Sequence, residues 1–268
     1  MNHEFSLHSL NTFGVPFFLS WNRLKRLARE LERLGPTVIC LQEIQQNAYI
    51  SPLIRNLPSY RYRAIFPHVY APKGGLGIFS RVPLLQKRFD PYLDRGLRFF
   101  ITFADWALFK GVLTVHVQID GLDVYILNTH LNANYIGYWH QKNPLTLVQR
   151  RQVQVLSRLL NEIPVDALAI VCGDLNFPRT SFLYEELIAQ NRLSDPLCDD
   201  PRPTYRPFPL VPSSWKTSLD YILYRLPLGK DFIVEADILP IEDSRQKSAL
   251  RRFLTDHCAL MFNIRWNS

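Results

Sequence analysis

Leu168-Ala169-Ile170-Val171-Cys172-Gly173-Asp174-Leu175-Asn176 is the stretch on which the fold turns. Five apolar residues, Ile and Val among them, make a run of the length expected for a strand covered on both faces. The run then stops in a carboxylate and an amide. In extended backbone, residues two apart share a face, so Asp174 and Asn176 can point at one small object while Leu175 anchors the chain in the core. Gly-Asp and Asn-x-Pro also terminate ordinary strands, and alone the segment reads more readily as a turn.

The pattern recurs. Val38-Ile39-Cys40-Leu41 leads to Glu43, Val124-Tyr125-Ile126-Leu127 leads to Asn128-Thr129-His130, the apolar run Leu219 to Tyr224 carries Asp220 near its start, and Thr255-Asp256-His257 opens the run Cys258 to Ile264. Polar groups at strand ends converge on one rim of a sandwich. Around these runs, Trp21, Leu24, Leu27, Ala28, Leu31 and Leu34 recur at helical spacing from Ser20 until Gly35-Pro36, and a second helix is predicted from about Leu145 to Leu160. Between Leu76 and Leu131 the period is two, with Leu113, Val115, Val117 and Ile119 on one side, which predicts an antiparallel meander. Phe232 to Leu239 reads as a further strand, and six prolines between Pro196 and Pro212 make that segment a long extended loop. Antiparallel strands with a few covering helices, spread along the whole chain, predict a single domain over residues 1–268 with two packed sheets and helices outside.

The 268 residues are 47% hydrophobic and 21% charged, which excludes a disordered chain. No apolar run approaches the roughly 18 residues of a membrane span. Met1-Asn2-His3-Glu4-Phe5 lacks the basic end and apolar core of a secretory leader, and Cys40, Cys172, Cys198 and Cys258 are spread singly. The expectation is reduced, structural thiols in a cytoplasmic protein. Lys and Arg outnumber Asp and Glu by 31 to 24, a net charge of +7. That field favours phosphate esters, nucleic acid or an anionic bilayer surface without choosing among them.

His257 is a natural general base for activating water if another carboxylate orients its far nitrogen, and Asp220 can supply it. His130 is either a core side chain or a donor to negative charge on phosphate. Glu43 is the foremost candidate for a metal carboxylate. Magnesium suits it, since that ion accepts one or two protein carboxylates, keeps several waters and takes phosphate oxygens directly; zinc fits worse, with cysteines in core positions and no close His pair. Asn11 either completes the site or starts the turn before Gly14, and Asp220 and Asp256 can equally serve as caps or surface ion partners.

Asn11 with Phe13-Gly14, Leu41-Gln42-Glu43, Gly75-Leu76-Gly77-Ile78-Phe79-Ser80-Arg81, Asn128-Thr129-His130-Leu131, Gly173-Asp174-Leu175-Asn176, Leu219-Asp220-Tyr221 and Asp256-His257 stand in the order of the endonuclease/exonuclease/phosphatase superfamily, which the chain resembles over nearly its whole length. Within it the chain looks most like the neutral sphingomyelinase branch, on Leu10 to Phe17, Lys110-Gly111, Asn132-Ala133-Asn134-Tyr135, and Arg151 with Gln154. The resemblance implies an α/β fold, a four-layer α/β/β/α sandwich of two mixed, largely antiparallel sheets flanked by helices, the DNase I-like arrangement. It implies that Glu43 ligates Mg²⁺, with Mn²⁺ as a substitute, that Asn11 stands close by, and that Asp256 is a candidate second metal ligand. It further implies that His257, oriented by Asp220, activates water, that Asp174 and Asn176 position water and phosphoryl group, and that His130 and Lys110 stabilise charge on the non-bridging oxygens. Asp105 and Lys110 reproduce the spacing of a pair that switches the site in that branch; five apart on a straight strand they would face opposite ways, so pairing requires a bend. Arg81, Lys110, Asp105 and Trp139 are the candidate substrate-binding groups.

Tyr135, Tyr138, Trp139 and His140 follow His130 in a loop from Asn132 to Pro144. Such rings suit a lipid interface, stack on nucleobases, or pack beneath the loop. The expected protein is a monomeric Mg²⁺-dependent phosphodiesterase of the phospholipase C type. It would act on a phospholipid headgroup and touch the membrane surface transiently as a peripheral protein. The alternatives are a nuclease acting on nucleic acid, an inositol-phosphate phosphatase, and a catalytically silent binding module. The last would have lost at least one of Glu43, Asp174, Asn176 and His257, and all four are present.

Overall fold

The computed structural model describes residues 2–16, 20–94, 106–206, 216–229, 231–243, 245–248 and 252–267. Along the chain run β1 (Asn2–Asn11), α1 (Ser20–Leu34), β2 (Val38–Gln42), α2 (Ile50–Arg55), β3 (Tyr62–Ala64), β4 (Gly77–Ser80), β5 (Gln86–Pro91), β6 (Gly111–Ile119), β7 (Leu122–His130), α3 (Pro144–Asn161), β8 (Leu168–Asp174), α4 (Phe182–Asn191), β9 (Asp220–Arg225), β10 (Phe232–Glu242) and β11 (Phe253–Asn267). They build a six-stranded sheet, β10-β11-β1-β2-β4-β3, and a five-stranded sheet, β5-β6-β7-β8-β9. Pairing is antiparallel except for β1 with β2 and β7 with β8, the central pair of each sheet. Helix α1 links the first parallel pair and α3 the second, so each sheet holds one βαβ unit at its middle.

Alternation along the strands divides the core into three apolar layers. From β8, Leu168, Ile170 and Cys172 meet Cys40 of β2 and Leu260 of β11 between the sheets. Ala169 and Val171 point the other way, into a layer with Val153 and Leu156 of α3 and Leu187 of α4. Ile39 and Leu41 of β2 likewise face Leu24, Leu27 and Leu31 of α1 and Leu53 of α2. Three apolar layers separate four layers of structure, which is the expected α/β/β/α sandwich. Helix α1 ends where predicted: Gly35 adopts φ 71° and its N–H returns to the Leu31 carbonyl, a left-handed cap that glycine takes without strain.

Some boundaries differ from the sequence expectation. The period-two stretch is shared between sheets, with β4 in the first and β5, β6 and β7 in the second. β11 starts at Phe253, so Asp256 and His257 sit inside the strand rather than before it. α2 and α4 carry no clean apolar stripe in the sequence and only appear once packed; α4 is capped by Ser181, whose hydroxyl accepts from Leu183 N. The proline-rich loop is described up to Arg206, and its remainder to Pro212 lies outside the described residues.

A polar brace crosses the apolar layer between the sheets. Gln42 of β2 donates to Asn128 Oδ1 of β7 at 2.7 Å, and Asn128 donates back to the carbonyls of Leu41 (3.0 Å) and Gly77 (3.3 Å). All of these groups are fully buried. Asn128→Ala leaves several of them unpaired, at about 1–3 kcal/mol each. A clear drop in the thermal midpoint is expected; an unchanged melting curve would show that the brace contributes nothing.

Candidate active site

Strand polarity gathers the site. β1 ends at Asn11, β2 runs into Glu43, β7 ends at His130 and β8 at Asp174, so the carboxyl ends of both parallel pairs share one rim. β9 and β11 run antiparallel to their neighbours and therefore begin at that rim. Asp220 pairs in register with Asp174, and the Thr255 hydroxyl donates to the Asn11 carbonyl at 2.7 Å. The strand exits are sharply turned: Phe13, Glu43 and Asn176 hold φ of 48°, 56° and 55°, a left-handed region costly for non-glycine residues and concentrated at functional sites. A Cβ on Gly14 would stand 2.0 Å from the Glu43 carbonyl, and one on Gly173 1.9 Å from the Thr129 carbonyl, so both must be glycine for the exits to pack.

The Asn11 amide bridges two carboxylates, donating to Glu43 Oε1 and Asp174 Oδ2 at 3.1 Å each. His130 Nε2 lies 3.6 Å from Asp174 Oδ2 and 4.0 Å from Glu43 Oε1. His257 Nδ1 is 2.8 Å from Asp220 Oδ2, while its Nε2 faces Asp174 Oδ2 at 3.8 Å and Asp256 Oδ1 at 4.0 Å. The Asn176 backbone N–H donates to Asp174 Oδ1 at 3.0 Å. Lys110, wholly buried, and the Asn176 amide both donate to the Leu131 carbonyl, at 2.7 and 3.0 Å.

Burial and crowding set the charges. Burial, then Asp220 and Glu43 nearby, push the Asp174 carboxyl up to about 7. Burial and Glu43 push Asp256 up to about 6, and its Oδ1 is buried with no hydrogen-bond partner among the described residues. Burial, helped by Lys110 and His257, drives His130 well below its ordinary value, so its imidazole is neutral. Burial alone would lower His257, but Asp220, Asp256 and Asp174 more than reverse this and raise it well above the usual imidazole range.

The structure therefore brings together Asn11, Glu43, Lys110, His130, Asp174, Asn176, Asp220, Asp256 and His257. Arg81 requires a correction. β4 is antiparallel to β2, pairing Gly77 with Leu41 but Ser80 with Val38, so Arg81 is carried to the opposite end of the sheet, where it packs over the Tyr60 ring. Trp139 is only partly exposed: its indole N–H donates to the Asn176 carbonyl at 3.3 Å and its ring packs on the core beneath α3. Asp105 lies outside the described residues, and with it the pairing expected with Lys110.

Three contributors carry little signal in the sequence. Thr204, fully buried, donates to Asp220 Oδ2 at 2.6 Å and accepts from the N–H groups of Leu219 and Asp220 at 3.0 Å. Tyr205 sets its ring 5.1 Å from that of His257. Both lie in the proline-rich loop, which pairs with β11 through Arg206 N to the Asp256 carbonyl and Cys258 N to the Thr204 carbonyl. Arg23 donates to the Thr12 carbonyl at 2.8 Å and also reaches the Phe13 and Leu254 carbonyls, tying the first strand exit to β11. Its clue was a cation in line with Leu27 and Leu31 on the apolar stripe of α1.

The profile of the Endonuclease/Exonuclease/phosphatase family matches residues 15–257. The chain is 28% identical over 200 residues to the inositol phosphosphingolipids phospholipase C of Schizosaccharomyces pombe, covering 72% of this chain and 46% of that protein. It is 25% identical over 199 residues to a putative neutral sphingomyelinase of Drosophila melanogaster, covering 73% and 44%. The chain thus spans under half the length of these curated relatives. Among solved structures, a Staphylococcus aureus beta toxin variant with bound magnesium ions superposes with a TM-score of 0.75 at 16% identity, over 97% of this chain and 99% of that one. Danio rerio TDP2 complexed with a single-strand DNA product superposes with a TM-score of 0.71 at 19% identity, over 99% of each chain.

Proposed function

Because this chain belongs to the endonuclease/exonuclease/phosphatase family, we propose that it is a divalent-metal-dependent phosphodiesterase of the phospholipase C type, releasing a phosphorylated headgroup from a sphingolipid-like diester. The observation that carries the reading is the meeting of an Asp-oriented histidine with three buried carboxylates at one rim.

The residues suit magnesium. Glu43, Asp256 and Asp174 offer hard oxygen donors, with Asn11 holding Glu43 and Asp174 together through its amide nitrogen while its oxygen accepts from Phe13 N. Burial and neighbouring negative charge raise the Asp174 and Asp256 carboxyls, and Asp256 Oδ1 is buried without a partner among the described residues. When bound, such a cation neutralises charge on the phosphoryl oxygens. The remaining work falls to the chain. Asp220 accepts the Nδ1 proton of His257 and leaves Nε2 facing the site, where it takes the proton of the attacking water. The surrounding carboxylates stabilise the imidazolium so formed. Asp174 and the neutral His130, 3.6 Å apart, would flank the phosphoryl group. Water's oxygen bonds to phosphorus while the P–O bond to the lipid alcohol breaks, the departing alkoxide takes a proton from solvent, and His257 returns to solvent the proton it accepted.

A substrate panel tests the assignment: sphingomyelin vesicles, a chromogenic diester, inositol phosphates and single-stranded DNA, each with Mg²⁺ and with EDTA. Magnesium-dependent headgroup release is expected. Preference for DNA would move the substrate to nucleic acid, a reading to which the TDP2 superposition and the +7 charge lend support. Full activity in EDTA would remove the metal.

Thr204 acts through Asp220 and is a positioning residue. Thr204→Val should lower kcat by about tenfold with little change in KM, and Thr204→Ser should restore it, since a hydroxyl is all that Asp220 needs. Equal losses in both variants would make the residue a packing element only.

A further inference from the structure

Of the twelve large apolar side chains exposed among the described residues, six gather around one end of the sandwich. Leu93 is 95% exposed, Tyr70 75%, Val69 71% and Tyr138 69%, with Tyr135 and Ile136 over half exposed. All six stand at the rim that holds the site. Val69 and Tyr70 are tied to the exit of β2, where the Asn47 amide donates to the Val69 carbonyl and its backbone N–H to the Tyr70 carbonyl. Leu93 follows β5, whose end reaches Lys110 through Tyr92 N to the Lys110 carbonyl at 3.0 Å. Tyr135, Ile136 and Tyr138 follow His130.

These three tips are mounted on polar pedestals. Asn134, Asn143 and Thr146 all donate to the Tyr138 carbonyl, at 3.0, 2.6 and 3.3 Å. Beside Leu93, the Asp94 carbonyl accepts from Gln152, which also donates to Asn132 Oδ1, and the Asp94 carboxylate pairs with Arg151. The chain thus spends hydrogen bonds, most of them part-buried, on holding apolar side chains outward around one opening. Cations lie among them: Lys25 sits over the half-exposed Trp21 ring at the start of α1, Lys73 over the rings of Phe89 and Phe109, and Lys142 is exposed beside His140.

We propose that this rim is an interfacial docking face that seats the site opening on a phospholipid bilayer. It rests on the phosphodiesterase reading for what lies beneath it and commits the substrate to one presented in a membrane. Val69, Leu93 and Ile136 are aliphatic and cannot stack on nucleobases, whereas each gains by entering hydrocarbon, with the tyrosines and lysines at headgroup level. No helix among the described residues is long and apolar enough to cross a membrane. Attachment through apolar tips and charge of the kind this face offers is reversible.

The test is co-sedimentation with phosphatidylcholine vesicles containing a minor fraction of phosphatidylserine and no substrate. Val69→Asp, Leu93→Asp and Ile136→Asp should each weaken binding about tenfold, the loss expected for one apolar side chain withdrawn from hydrocarbon. Val165→Asp and Leu228→Asp, equally exposed but remote from the rim, should bind as the parent does. Tyr138→Trp, which keeps the face intact, should be quenched by brominated lipid more than the parent. Vesicle binding that is absent, indifferent to the rim, or lost equally in the remote variants overturns the proposal, as does binding of single-stranded DNA that depends on the same residues. Vesicle binding without headgroup release would leave the face standing and remove the lipid hydrolase reading; turnover of a soluble diester without vesicle binding would do the reverse.

Discussion

Replacing His257 by Gln should lower turnover of a chromogenic phosphodiester by roughly 10³- to 10⁴-fold while the chain remains folded, because the proton acceptor is lost and little packing changes. His257 is buried, and its Nε2 is held between Asp174 and Asp256 by a single bond at the far nitrogen. The raised pKa gives the pH profile a definite sign. The working form is the unprotonated imidazole, so the rate should climb as pH rises through the His257 pKa. Asp220 is the foremost partner holding that pKa up. Asp220→Asn should therefore move the acid limb to lower pH while cutting the maximal rate. A limb that stays in place would mean that another group sets it, and a fully active His257→Gln enzyme would end the assigned role.

Glu43→Gln should weaken magnesium binding roughly 10²-fold or more by titration calorimetry, and activity should fall with it. A second readout separates metal binding from folding. Asp174 and Asp256 have folded values near 7 and 6, above the ordinary carboxylate range near 4. A raised carboxyl contributes stability that is present below its unfolded value and lost as pH rises through its folded value. In EDTA at alkaline pH these groups and Glu43 repel one another at full strength, so removing one charge should raise the thermal midpoint, and the gain should shrink toward pH 4. The glutamine keeps an acceptor for the Asn11 amide and gives up only the part-buried bond that Glu43 Oε2 accepts from the Gln45 amide at 3.2 Å. A lower midpoint in EDTA would contradict the crowded-carboxylate account.

Much of the site was legible because its residues sit at the ends of strongly apolar runs. Val38 to Leu41, Val124 to Leu127 and Leu168 to Cys172 announce strands, and within three residues beyond them stand Glu43, His130 and Asp174, which the fold collects. Arg81 shows the limit of that reasoning. It too follows an apolar run, but β4 points away from the rim, and strand direction is invisible in a local pattern. Trp139 shows another: an aromatic in a polar loop looks exposed until the indole finds the Asn176 carbonyl. Thr204 is harder still, since a threonine between prolines has no periodicity to mark it, and its importance arises only when the loop folds back on β9 and β11.

Taken alone, the order of residues determined the strongly apolar strands, the helix spanning Ser20 to Leu34, the residue types available for metal and proton chemistry, and the family, because each depends on short-range periodicity or on motif order. Tertiary structure decided which strand ends face the same way, that Asn11 bridges Glu43 and Asp174, that Thr204 holds Asp220, and that the exposed apolar tips share the rim with the site. Those facts are relations between residues far apart in the chain. Only sheet polarity and packing bring such residues within the few ångströms over which hydrogen bonds and charges act.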